Sequence, residues 1–330
     1  MRRQIRNIIS MVLVSVMVLT ASVPVLAGEV TGTLSTETDT AEGGKDVPSD
    51  EADDHVVIEE DDKPYLALGA DLTEEQKTTV LSLMGIKAEE LGNYDVVTVT
   101  NEEEHQYLGS YIPANKIGSK AWSSVVIVKK DKGNGINIST KNINYCTVGM
   151  YKNALVTAGI EDADIIVAGP QNISGTAALL GVFKAYEEMT GKELPEENVD
   201  TALNELVVTG ELSGSIDADP EEVEGLIAYL KQEIAENGLD DEESISEAID
   251  KAADKFDIDL TADQKQKLLD LLMKISDLDL DVDSLLDQAK SVYDKIADMD
   301  FDSDGFWSKV GDFFSNLFKG IGDFFKGLFG

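Results

Sequence analysis

The sequence predicts an α/β fold, a mixed sheet with helices, followed by an acidic all-α helical region. Three observations predict it. Between residues 64 and 190, short runs of β-branched and apolar residues alternate with helix-start and helix-stop signals. Beyond residue 190 the strand signals cease and apolar residues recur at helical spacing. The charge changes at the same place. Residues 63–190 carry 15 acids against 11 Lys, whereas residues 191–305 carry 34 acids against nine Lys.

The elements follow in order. Residues 64–68 form a short apolar strand. Thr73 followed by Gln76 is a capping box, in which each side chain satisfies a free backbone N–H at a helix start. That helix runs to about Met84, and Gly85 stops it. Residues 96–100 are rich in β-branched side chains and read as a strand. Asn101 caps a second helix through Glu102, Glu103, Glu104 and His105, ending near Gly109. Residues 122–129 are a strand. Asn134-Gly135 then gives a two-residue hairpin signal that returns residues 136–139 antiparallel beside it. Residues 150–158 are helical and stop at Gly159. Residues 163–168 are a strand of the buried type, Gly169-Pro170 turns the chain, and Ser174 caps a helix that reaches Met189.

Pro195 opens the next helix, to about Val208. Asp219-Pro220 supplies a cap and a first-turn proline to another, which Asn237-Gly238 ends. A helix covers about 242–256, Thr261 and Gln264 repeat the capping box of Thr73 and Gln76, and a last helix covers about 282–297. These helices are expected to form a small bundle with an acidic outer face.

Composition excludes several functions. The 330 residues include 64 acids against 27 Lys and Arg, a net charge of −37. Duplex nucleic acid is excluded as a partner, because binding to phosphates needs clustered cations. One cysteine excludes a disulfide-stapled fold, and two histidines, His55 and His105, nearly exclude a histidine-built metal centre.

The N-terminus reads as a targeting signal. Arg2, Arg3 and Arg6 precede an apolar run from Ile8 to Leu19, and Val25-Leu26-Ala27 offers small residues where a signal peptidase reads. Residues 1–27 are expected to be a secretory signal peptide cleaved after Ala27. A retained anchor is the alternative, but the run falls short of the ~20 residues of a membrane span. Residues 28–62 read as a disordered acidic tether, with few apolar residues and a net charge of −12 over 29–62. The domain map expected from sequence is therefore signal peptide, tether, α/β domain over 63–190, helical bundle over 191–305, and a Phe-rich helix over 306–330.

Four stretches carry a family resemblance. They are Leu68-Gly69-Ala70-Asp71-Leu72-Thr73, Val97-Thr98-Val99-Thr100-Asn101 on to Gly109, Ile117-Gly118-Ser119-Lys120-Ala121, and the block from Met150-Tyr151-Lys152-Asn153 to Ala178-Leu179. Together they resemble the YpuA-like family (DUF1002) of secreted bacterial proteins, over about 64–290. The resemblance implies an extracytoplasmic location. It implies no activity, and no catalytic residues transfer with it.

Candidate chemistry is sparse. The stretch 169–176 links a strand to a helix, where backbone N–H groups can cradle an anion, but it lacks the Lys and spacing of a nucleotide-binding loop. Glu102 and His105 share one helical face, suited to a metal or a proton transfer; an exposed helix start with dipole-favouring acids is the plainer reading. Cys146 has no adjacent cation to activate it and reads as a small, semi-buried residue. Asp277, Asp279, Asp281 and Asp283 would share one face of an extended segment. Asp300, Asp302, Asp304 and Gly305 match the opening of an EF-hand loop, making calcium the one candidate metal, although Gly311 stands where the last ligand belongs.

The C-terminus carries the sharpest pattern. Seven of the ten Phe residues lie in the last 25 positions. On a helix, Phe306, Trp307, Phe313, Phe314, Leu317, Phe318, Phe324, Phe325, Leu328 and Phe329 fall within an arc of about 160°. Lys309, Asp312, Lys319, Asp323 and Lys326 fill the opposite side. Such a face meets a membrane interface, a protein partner, or the protein's own helices. The function expected from sequence is a secreted, cell-envelope-associated, non-catalytic interaction protein held peripherally by this helix. An enzyme acting on an envelope substrate and a calcium-dependent module are the alternatives. A cleft joining Glu102, His105 and the 169–176 turn would favour the enzyme.

Overall fold

The computed structural model describes residues 62–216 and 218–278, together with Asp54, 56–59, Leu280 and Leu285. The fold is α/β as expected: one five-stranded mixed sheet with helices, followed by further helices. In chain order the elements of the first part are β1 (Tyr65–Gly69), α1 (Glu74–Leu83), a 3-10 turn (Ala88–Asn93), β2 (Asp95–Val99), α2 (Asn101–Leu108), the single turn α3 (Ala114–Ile117), β3 (Ser124–Lys129), β4 (Ile136–Ile143), α4 (Val148–Thr157), β5 (Ala163–Ile173) and α5 (Thr176–Thr190). Then come α6 (Glu196–Ser215), α7 (Pro220–Asn237), α8 (Glu242–Phe256) and α9 (Ala262–Ser276).

Local chemistry explains most boundaries. The capping boxes at Thr73/Gln76 and Thr261/Gln264 both form. Asp219 and Glu222 form a third, with Pro220 at the first helical position, where its missing N–H costs nothing. Gly85, Gly159 and Gly238 end their helices at positive φ, a conformation that glycine adopts without steric cost.

Five expectations change. Asn101 is the first helical residue rather than the cap. Thr100 takes the cap because its Oγ1 accepts from Glu103 N–H at 3.2 Å while its own N–H donates to Glu103 Oε2 at 2.8 Å. The 134–135 hairpin does not form. The strand order is β2-β1-β3-β5-β4, so β5 lies between β3 and β4. The chain does reverse there, but it skips one strand position, and β4 pairs parallel with β5. Burial gives the reason. Ile165, Ile166 and Val167 of β5 are all buried, so β5 takes the interior position, and the half-polar β4 is left at the edge.

Gly169-Pro170 does not turn the chain either. β5 continues to Ile173, with its extra residues bulged: Lys141 of β4 pairs with Ala168 and Ile143 with Ile173, so residues 169–172 lie opposite Asn142 alone; Asn142, at φ 59°, donates from Nδ2 to the Gly169 carbonyl at 3.0 Å. Ser174 does not cap α5. Gly175 holds that position at φ 93°, and a side chain there would collide with the Tyr151 hydroxyl. The helix opened by Pro195 is also longer than expected, reaching Ser215.

Strands β1, β2, β4 and β5 run one way and β3 runs against them. One face of the sheet packs α4 and α5 in a core that extends through Ala202, Leu203, Leu206 and Val207 of α6. The C-terminal half of α6 then joins α7, α8 and α9 around Leu226, Leu230, Ile249, Phe256 and Leu272. The α6 helix thus belongs to both cores. The opposite face packs α1, with Val80, Leu81 and Met84 on Leu66, Val126 and Ile166. Val56 and Ile58, from the segment expected to be a tether, also pack on this face.

Candidate functional site

Because four strands run the same way, their carboxyl ends gather at one end of the sheet, where α/β folds place ligands. The segments that converge there are 70–73 after β1, 100–105 after β2, 144–147 after β4 and 174–176 after β5. The start of β3 at 121–124 joins them.

Glu104 sits at the centre. It lies on the inward face of α2 and is 2% exposed. Its Oε1 accepts from the Thr176 hydroxyl at 3.3 Å, across to the first residue of α5, and its Oε2 accepts from Asn101 Nδ2 at 3.3 Å. Burial pushes the carboxyl up to about 7. Its bonds to Asn101 and Thr176 and the neighbouring His105 oppose this, and the charge of Asp71 adds to it. His105 Nε2 donates to the Gly118 carbonyl at 2.9 Å, which also accepts from Asn101 Nδ2 at 3.4 Å. Asp71 accepts from Ala121 N–H at 2.9 Å and from Lys120 Nζ at 3.4 Å, and its carbonyl accepts from Trp122 Nε1.

Cys146 and Tyr151 form the floor. Both are buried, and the Tyr151 hydroxyl donates to the Gly175 carbonyl at 2.7 Å. Burial pushes the Cys146 thiol up to about 12, so it is a thiol, not a nucleophilic thiolate, at neutral pH.

The sequence candidates are thus partly assembled. His105 and the 174–176 turn meet, but through Glu104; Glu102 is exposed on the outer side of α2. Three consecutive glutamates conceal this in the sequence, since ~100° per residue turns neighbours to different faces. Among the described residues no three His, Cys, Asp or Glu are placed to hold a metal ion. Asp279, Asp281, Asp283, the candidate calcium ligands Asp300, Asp302 and Asp304, and the aromatic face of 306–330 lie outside the described residues.

A second buried polar cluster escaped the sequence reading. Lys231 of α7 and Glu205 of α6 pair at 3.0 Å with both side chains fully buried. Lys231 Nζ also donates to the Asn153 carbonyl at 2.7 Å, and the Thr157 hydroxyl donates to Glu205. Burial pushes the Glu205 carboxyl up and the Lys231 ammonium down, each held back by its partner. Nearby, the Thr147 hydroxyl donates to the buried Glu224 carboxylate, and Asn153 Nδ2 donates to the Glu224 carbonyl at 3.2 Å. These bonds tie α4 to α6 and α7. In sequence, Glu205 and Lys231 look like two ordinary charges on amphipathic helices.

Comparison with known proteins gives two matches. Residues 68–292 match the family model described as a protein of unknown function (DUF1002). The chain is 41% identical over 264 residues to the uncharacterized protein YpuA of Bacillus subtilis (strain 168), covering 79% of this chain and 89% of that protein. No solved structure matches.

Proposed function

We propose, from the premise that the chain belongs to the DUF1002 family of proteins of unknown function, that it is a secreted, envelope-associated interaction protein. In this reading the C-terminal amphipathic helix holds it at a membrane interface. The observation that carries the proposal is the sequence pattern over 306–330, which on a helix would place the aromatic side chains on one face and three Lys with two Asp on the other. The N-terminal pattern of Arg2, Arg3 and Arg6, apolar run and Val25-Leu26-Ala27 supports export. Among the described residues, no helix is long and apolar enough to cross a membrane. A non-catalytic role is consistent with where the reactive groups lie: Glu104, Cys146, Tyr151, Glu205 and Lys231 are buried and bonded to neighbouring elements.

The mature chain is expected to co-sediment with liposomes, and a chain ending at Gly305 to stay in the supernatant. Equal partitioning of the two forms sinks the anchor.

One observation favours the enzyme as a second reading. Glu104, His105 and Thr176 converge at the carboxyl ends of the strands, and Glu104 titrates near neutrality as a general acid or base must. Incubation with purified cell-wall material is the direct check: release of soluble fragments that Glu104→Gln abolishes supports the enzyme, and no release removes it.

A further inference from the structure

The outer edge of β4 is covered by residues far upstream. Asp54 N–H donates to the Ile138 carbonyl at 3.1 Å, and Ile138 N–H donates to Asp54 Oδ2 at 2.7 Å. Val56 N–H donates to Ser139 Oγ at 2.8 Å. Asp54 Oδ2 also meets Lys152 Nζ of α4 at 2.9 Å, and that lysine is 3% exposed. Val56 and Ile58 turn into the core beside Val126, Ile166 and Ala168, while Val57 turns out to solvent. This alternation is that of a strand. Asp62 then pairs with Lys130 at 2.8 Å as the chain enters β1.

One carboxylate therefore satisfies an edge amide and neutralises a buried ammonium. The edge thus recognises more than extended backbone: an acid at the Asp54 position with β-branched residues at the second and fourth positions after it. An uncovered sheet edge is a template for pairing with any extended chain, and here a specific segment occupies it.

We propose that the β4 edge with Lys152 is a strand-acceptor site selective for one acid-bearing segment, and that Asp54 with residues 56–58 of this chain occupies it as an exchangeable strap. The net charge of −37 opposes any acidic peptide at long range. Binding therefore comes from the edge hydrogen bonds and the Lys152 contact, and added salt strengthens it by screening the repulsion. A cut between the strap and β1 makes the edge available to the same segment supplied from outside.

The test uses the full chain with a protease site replacing residues 60–61. It is folded, cut, and challenged with a fluorescent peptide of residues 51–62. The N-terminal fragment is expected to stay bound after cutting, and the labelled peptide to exchange into its place. A D54N peptide should bind about tenfold more weakly, as expected for loss of a charge-assisted contact. In a Lys152→Met chain the two peptides should bind alike. The proposal is overturned if the fragment leaves and no peptide rebinds, or if D54N and scrambled peptides bind the cut chain as tightly as the native one. Should Lys152→Met fail to fold, the peptide comparison on the unsubstituted cut chain decides alone.

Discussion

Glu205 and Lys231 meet at 3.0 Å with neither side chain exposed, joining α6 to α7 at the point where Thr157 and the Asn153 carbonyl of α4 complete the shell. Such a pair gives little net stability, because the lost hydration nearly cancels the attraction; removing one partner instead strands the other charge. Either single substitution, Glu205→Leu or Lys231→Met, should lower stability by about 3–5 kcal/mol in urea unfolding. The double variant should be more stable than either single. A double variant that loses the sum of the two single losses would show that the charges act independently, against this account.

Glu104 makes stability depend on pH. Its folded carboxyl titrates at about 7 against 4.5 for the ordinary group, with burial as the main cause. The native state therefore holds a proton that the unfolded state has already released. The contribution is fully present below pH 4.5, falls as pH rises, and is gone above about 7. At its upper limit the change is about 3 kcal/mol. Glu104→Gln keeps the shape and removes the titration. Urea midpoints should fall more steeply for the unsubstituted chain than for Glu104→Gln between pH 4.5 and 8. Parallel profiles would mean that Glu104 does not hold the proton.

Three of the caps are legible in the sequence because each is local, whereas those assigned to Asn101 and Ser174 fall to neighbours. Thr73 with Gln76, Thr261 with Gln264, and Asp219 with Pro220 need only each other. The neighbour of β4 is a competition between distant segments, and nothing near Asn134-Gly135 records that residues 163–168 are the more buried strand. The glycines on either side of Asn134 still fix the loop locally: Gly133 and Gly135 N–H donate to Asp162 Oδ1 at 2.9 and 3.0 Å. The strap was hidden by composition, since Val56-Val57-Ile58 stands among acids and the segment averages to a tether. Which of Glu102, Glu103 and Glu104 faces inward depends on where α5 lands, which is tertiary information.

At Gly69 the backbone of β1 passes close to the chain entering β3. A methyl group there would collide with the Ala121 carbonyl, which already accepts from Asp71 N–H at 3.2 Å. The obstruction is backbone, so it cannot rotate aside. Gly69→Ala should lower stability by about 1–3 kcal/mol, as overpacking does. Gly92→Ala, at a position with open space, is the control and should change it by less than about 0.5 kcal/mol. Equal midpoints for the two variants would show that the β3 entry yields freely.

Cys146 reports on the same end of the sheet. As the chain's one thiol it labels at a single site, and it is buried beneath the 174–176 turn with its ionisation pushed up to about 12. Both effects slow alkylation, since the reagent needs a thiolate and a path to it. Native protein should react with iodoacetamide at least about 100-fold more slowly than urea-unfolded protein at the same pH. Glu104 lies close enough to oppose the thiolate electrostatically. Once the ordinary pH dependence of thiolate formation is divided out, labelling should slow above pH 7 in the unsubstituted chain, as ionised Glu104 opposes the thiolate. Glu104→Gln should remove that slowing. Rapid labelling of the native protein at neutral pH would instead place Cys146 at an accessible surface, and the floor of the site would then be open to a substrate.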